Sequence, residues 1–156
     1  PGRMNIFNFD DYKIMVDYAH NEGAYIALKN YLSTIKNKRK IGIISATGDR
    51  LATDIQKIGY YSAQIFDEII IKHDKNGRGS SNEQLTGLIK QGILNSKLNP
   101  KVDVISDEFE AVQYAIANKT PETFIFYAPE DVFKAIEFIK KEQKKSKINE
   151  IATEGL

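Results

Sequence analysis

Two hydrophobic periodicities alternate along the chain. Asn5 to Phe9 and Lys13 to Asp17 are short apolar-rich runs split by Asp10, Asp11 and Tyr12, the composition of a β-hairpin. From Ala24 the apolar positions fall at Ala24, Ala27, Leu28, Tyr31, Leu32 and Ile35. That is the i, i+3, i+4, i+7 spacing of a helix with one buried stripe, and the basic stretch Lys36 to Lys40 ends it. Ile41 to Ser45 is a continuous, mostly β-branched run of the kind covered on both faces, and Leu51, Ile55, Ile58 and Ile65 mark the helix after it. Glu68 to Ile71, Val102 to Ile105 and Phe124 to Tyr127 repeat the strand signature. Helical stripes follow each: Leu85, Leu88, Ile89 and Ile93, then Phe109, Val112 and Ile116, then Val132, Ile136 and Ile139. Ser81 with Gln84 offers a capping box, Ser106 or Asp107 can cap the next helix, and Pro129 sits where a first helical turn tolerates proline.

A hairpin followed by repeated helix-then-strand units with short connections predicts an α/β protein. The expected fold is a Rossmann-like three-layer domain, with a mainly parallel sheet, an N-terminal β-hairpin and helices on both faces. Residues 1–145 read as this domain. The lysine-rich stretch from Lys134 to Glu150, with six lysines and three glutamates, reads as a solvated helix face running into a flexible tail over 146–156.

Composition narrows the function. At 156 residues and 42% hydrophobic, the chain buries a core without staples. It has no cysteine, which excludes disulfides, a thiolate zinc site and a cysteine nucleophile, and two histidines are too few for a histidine metal cluster. The formal net charge of 22 − 21 = +1 argues against nucleic acid as a partner. No apolar run approaches the roughly 18 to 20 residues of a membrane helix, and the first residues lack a secretory pattern, so no membrane partner and a cytoplasmic location are expected. Pro1 in place of an initiator, with Met4 inside the first strand pattern, suggests a piece of a longer protein.

In open α/β sheets ligands lie beyond the carboxyl ends of the strands, where helix N-termini and loop amides gather. Four loops qualify: Asp17 to Asn21, Ala46 to Arg50, Lys72 to Ser81 and Ala128 to Asp131. Asp17 ends a strand, where its carboxylate can accept two hydrogen bonds from a vicinal diol such as a ribose; equally, Asp17 or Asn21 can cap the next helix. His20 can orient a substrate, carry a proton or serve as a structural hydrogen-bonder. Gly48 permits a tight turn or close backbone approach to a ligand, and Asp49 and Arg50 bring both charges to the helix mouth, as a binding pair or as a local ion pair. No phosphate-binding loop is present, because Gly42 and Gly48 are spaced one residue too widely and no Lys-Ser/Thr follows. The ten residues Lys72 to Ser81 are long for such a connection, either functional or merely flexible, with Arg78 the best placed to grip a carboxylate or phosphate. The residues show a polar, nucleotide-facing edge without a complete catalytic set.

Taken together, Pro1-Gly2-Arg3, a hairpin, Asp17-Tyr18-Ala19-His20-Asn21, and Gly48-Asp49-Arg50 after a buried strand resemble the C-terminal domain of the Mur ligase superfamily over residues 1 to about 140. Within it, Ile70-Ile71-Lys72-His73-Asp74 and Arg78-Gly79 look like the ligase half of the cyanophycin synthetase branch, while the Asp-Asn-Pro-Arg signature of the muramyl-tripeptide ligases is missing. The resemblance implies ATP-dependent amide formation through an acyl phosphate, with the phosphate loop and the Mg²⁺ ligands on a central domain absent from this chain. It implies that this fragment alone is inactive, holds no metal and supplies no catalytic residue by itself. Arg3, Asp17, His20 and Asn21 would meet ATP, with Asp17 on the ribose. Asp49, Arg50, Asp74 and Arg78 would face the incoming amino acid, arginine by this likeness, with a carboxylate on its guanidinium and Arg78 on its α-carboxylate. The partners are then ATP, an amino acid and the other domains of a parent ligase. A reading of a different class is a freestanding Rossmann-like nucleotide-binding or interaction module without catalysis.

Overall fold

The computed structural model describes residues 3–155. Strand β1 (Asn5–Asn8) pairs antiparallel with β2 (Tyr12–Val16), and Phe9 stacks on Tyr12 across the turn. Helix α1 (Glu22–Leu32) leads to β3 (Arg39–Ile44), α2 (Ala52–Ile65) to β4 (Glu68–Ile71), and α3 (Asn82–Asn95) to β5 (Lys101–Val104). Helix α4 (Glu108–Ala117) then returns the chain to β6 (Thr123–Tyr127), and α5 (Val132–Glu154) closes it. The six strands lie in the order β1-β2-β6-β3-β4-β5, all parallel except the β1 edge. The expected three-layer, Rossmann-like architecture is the one observed.

Strand alternation divides the core into two apolar layers. Met15, Ile44, Ile69, Ile71, Phe124 and Phe126 face α1, α2 and α3; Ile14, Val16, Ile41, Ile43, Ile70, Ile125 and Tyr127 face α4 and α5. Chains leaving β2, β3 and β4 therefore go to one layer and those leaving β5 and β6 to the other. Because β6 is inserted between β2 and β3, neighbouring strands part at their carboxyl ends and a crevice opens there. On the first layer α2 and α3 lie close enough that a Cβ on Gly92 would come within 1.8 Å of the Gln56 carbonyl oxygen, and one on Gly59 within 2.0 Å of that of Ile89. These glycines set the depth of the interlock.

Several local expectations shift. Helix α1 stops at Leu32 rather than reaching Ile35, because the Ser33 and Thr34 hydroxyls donate back to the carbonyls of Asn30 and Tyr31. Asp107, not Ser106, caps α4. Pro129 lies buried in the loop before α5, whose first amides are met instead by Asp131. Helix α5 continues to Glu154, past the boundary drawn at residue 145, and its lysine-rich surface is largely exposed. Pro1 and Gly2 of the N-terminal motif lie outside the described residues.

Candidate functional site

The strand ends gather the singled-out residues into two neighbouring groups. At the end of β2, Asp17 leaves the sheet with its amide donating to the Tyr127 carbonyl at 3.1 Å, and its Oδ2 accepts the Met4 amide at 2.8 Å. Burial holds its carboxyl above the ordinary value of 3.8, with the Met4 amide and the charges of Arg3 and His20 pulling the other way. Arg3, Asp17 and His20 are thus near neighbours, and Oδ1 of Asp17 has no donor among the described residues. His20 donates from Nδ1 to the Tyr18 carbonyl at 3.1 Å, and its ring leans on that of Tyr18. Asn21 is the N-cap of α1, its Oδ1 accepting the Ala24 amide at 2.9 Å. Of the two capping candidates, Asn21 does the capping, which leaves Asp17 available.

The loops after β3 and β4 are zipped to each other. The Gly48 amide donates to the Gly77 carbonyl at 2.9 Å, and a Cβ on Gly48 would come within 2.6 Å of that same oxygen. The close approach that Gly48 permits is therefore to the neighbouring loop. Asp49 pairs with Arg78, not with the adjacent Arg50, at 3.0 Å, and also accepts the Thr47 hydroxyl at 2.7 Å. The Thr47 hydrogen bond, followed by that from Arg78, holds the Asp49 carboxyl below its ordinary value. Arg78 itself stands at φ 48°, a left-handed conformation braced by its amide donating to Asn76 Oδ1. Arg50 is exposed; its amide donates to the Thr47 carbonyl at 3.3 Å, and its guanidinium has no partner among the described residues.

Between these loops a tight recess of about 40 Å³ is lined by His20, Arg50, Asp74 and Arg78, together with Ser45 and Pro129. It joins residues expected on the nucleotide side with residues expected on the amino-acid side. Asp17, Arg3, Asn21 and Asp49 do not line it. Beside it lies a larger cavity of about 710 Å³ at the ends of β4, β5 and β6. Six carboxylates line this cavity, Asp74, Asp107, Glu108, Glu110, Glu130 and Asp131, against three cations, Lys75, Arg78 and Lys134, so its wall carries more negative than positive groups.

A network that the sequence pattern did not reveal underlies the cavity. Lys72, whose side chain is 0% exposed, reaches Asp74 Oδ1 at 2.7 Å, Glu108 Oε2 at 3.1 Å and the Ser45 hydroxyl at 3.1 Å. Ser45 donates in turn to Asp74 Oδ1 at 2.9 Å. Glu108 accepts the Tyr127 hydroxyl and the Glu130 amide, and Glu130 Oε2 accepts the Lys75 amide at 3.0 Å. Burial, then Glu108, raises the Tyr127 phenol well above its ordinary value, so it stays a donor. Asp74, Glu108 and Glu130 offer oxygens within 4.8 Å of one another, yet the Lys72 ammonium already occupies the place a metal ion would take against the first two. Only Asp74 Oδ2 and Glu130 Oε1 of this trio remain without a donor among the described residues. The sole signal in the sequence was a lysine closing the run Ile69-Ile70-Ile71, where a charge ends a buried strand. On the far side of the cavity His73 bridges the hydroxyls of Ser106 at 2.9 Å and Thr86 at 2.7 Å, and burial lowers its pKa below 6.5.

Fold and cleft together define a three-layer α/β domain with a polar cleft at the carboxyl edge of its sheet. The family described as "Mur ligase, glutamate ligase domain" matches residues 2–130, and the chain belongs to it. Curated relatives include cyanophycin synthetases from Synechocystis sp., 39% identical over 140 residues, and from Geminocystis herdmanii, 37% identical over 141; each match covers 90% of this chain. The chain spans 16% of the length of each of these relatives. Among solved structures, a UDP-N-acetylmuramoyl-L-alanyl-D-glutamate–2,6-diaminopimelate ligase aligns with TM-score 0.70 and 25% identity over 81% of this chain and 25% of that one. E. coli FolC in complex with ADP aligns with TM-score 0.71 over 92% of this chain and 32% of its own, at 21% identity, which speaks for the fold. No helix among the described residues is long and apolar enough to cross a membrane.

Proposed function

We propose that this chain is the C-terminal domain of an ATP-dependent amide-forming ligase, which closes over ATP and receives the incoming amino acid, a basic one, in its acidic cavity. The observation that carries the reading is the cavity wall, six carboxylates against three cations, in a chain of this family. Like the relatives named as cyanophycin synthetases, the parent protein would join a carboxylate to an amine at the expense of ATP.

Each group of residues has a task that its geometry allows. Asp17, fixed through Oδ2, keeps Oδ1 for a ribose hydroxyl, and Arg3 beside it lends positive charge at the nucleotide edge. His20 and Asn21 shape the same edge. Asp74 Oδ2 and Glu130 Oε1 are open acceptors for the two-pronged face of a guanidinium. Arg50, unpaired at the recess, and Arg78 are the groups for the α-carboxylate; Arg78 must exchange Asp49 for it, and Asp49 holds the fork in place meanwhile. Mg²⁺ would neutralise the phosphates as they approach the carboxylate, and its ligands belong to the central domain, since the carboxylate trio here is already served by Lys72.

Amino-acid-dependent ADP release by the full-length protein tests this. Arginine is expected to stimulate release with a carboxylate-bearing acyl donor present, and glutamate of equal concentration is not. Stimulation by glutamate and not by arginine would overturn the proposal.

A further inference from the structure

Lys72 is the one buried cation among the described residues, and it lines neither the recess nor the larger cavity. A lysine closed off in this way needs a reason, because an apolar residue at the end of Ile69-Ile70-Ile71 would continue the core at lower desolvation cost. Its three ammonium protons meet three acceptors: Asp74 Oδ1, Glu108 Oε2 and Ser45 Oγ. All three lie on different segments, the ends of β3 and β4 and the first turn of α4. The ammonium therefore ties the end of β3, which lines the recess, to the end of β4 and the first turn of α4, which line the cavity. It also consumes the inner oxygen of Asp74 and leaves only the outer one open.

We infer that Lys72 is a positioning residue for charge selection: from behind the cavity it ties down Asp74 Oδ1 and Glu108 Oε2, so that Asp74 Oδ2, beside Glu130 Oε1, is the acceptor turned toward a cationic side chain. Lys72 never meets the ligand. Without its charge the two carboxylates would face each other across a water-poor floor, and they would turn apart or share a proton, losing their preference for a cation. The groups facing this floor are Asp74 from the loop after β4, Glu108 from α4, Tyr127 from β6 and Glu130 from the loop after β6. The inference rests on the proposed basic substrate.

The test uses the full-length protein and compares arginine with citrulline, its neutral isostere, in amino-acid-dependent ADP release. The unaltered protein is expected to favour arginine by at least about ten-fold in kcat/KM, the scale of one charge-assisted hydrogen bond. In Lys72→Met that ratio falls to within about three-fold, through a raised KM for arginine, while the KM for ATP stays within about two-fold. A residue that only held the fold together would lower kcat for both amino acids and leave the ratio standing. An unchanged ratio in Lys72→Met overturns the inference. Should that variant not fold, Lys72→Gln, which keeps a donor of similar length without the charge, is judged by the same ratio. Equal use of arginine and citrulline by the unaltered protein would overturn the basic-substrate reading, and this inference with it.

Discussion

A charge at Asp17 costs the fold something. Its carboxyl is half-buried and held above its ordinary value by desolvation, so the charged form is less welcome in the folded chain than in the unfolded one. A raised carboxyl pKa opposes folding as pH climbs through the folded value and has no effect below the unfolded one. Asp17→Asn keeps an Oδ1 to accept the Met4 amide and removes the charge. Its melting temperature is expected to exceed that of the unaltered chain at pH 7, with the difference vanishing as pH falls below 3.8. Thermal melts at pH 7 and pH 3 measure this, and a destabilised variant at pH 7 would contradict it. The Tyr25 hydroxyl is fully buried with no hydrogen-bond partner among the described residues, another cost to the fold.

At the scale of elements, what the sequence made legible was whatever depends on near neighbours. Strands β3, β4 and β6 stood out because Ile41-Gly42-Ile43-Ile44, Ile69-Ile70-Ile71 and Phe124-Ile125-Phe126 are buried on both faces, and the Ser81–Gln84 box opens α3 as its spacing implies. What escaped depends on distance. The partner of Asp49 is 29 residues away across two loops, and Lys72 finds Glu108 only because α4 starts beside β4's end. The α2–α3 interlock is another long-range fact. Gly92→Ala places a methyl within 1.8 Å of the Gln56 carbonyl and is expected to destabilise the chain by about 2–3 kcal/mol. Gly87→Ala, in the same helix with open space around it, is expected to gain about 1 kcal/mol from helix propensity. Chemical denaturation of the two variants separates packing from propensity, and shifts of the same sign would refute the interlock.

For the whole molecule, the topology is what turns scattered residues into a site. Inserting β6 between β2 and β3 sends adjacent chains to opposite layers, and the resulting crevice receives Asp17 from one strand, the zipped Gly48 and Gly77 loops from two others, and Glu130 from a fourth. Nucleotide and amino acid are proposed to meet separate residues of one edge, so damage to each is expected to be separable. The most direct measurement is therefore the pair of KM values, for ATP and for the amino acid, in full-length protein carrying Asp17→Ala or Arg78→Ala. A crossed pattern is predicted: about ten-fold higher KM for ATP alone in the first, and about ten-fold higher KM for the amino acid alone in the second. Parallel losses of both substrates in both variants would contradict the account.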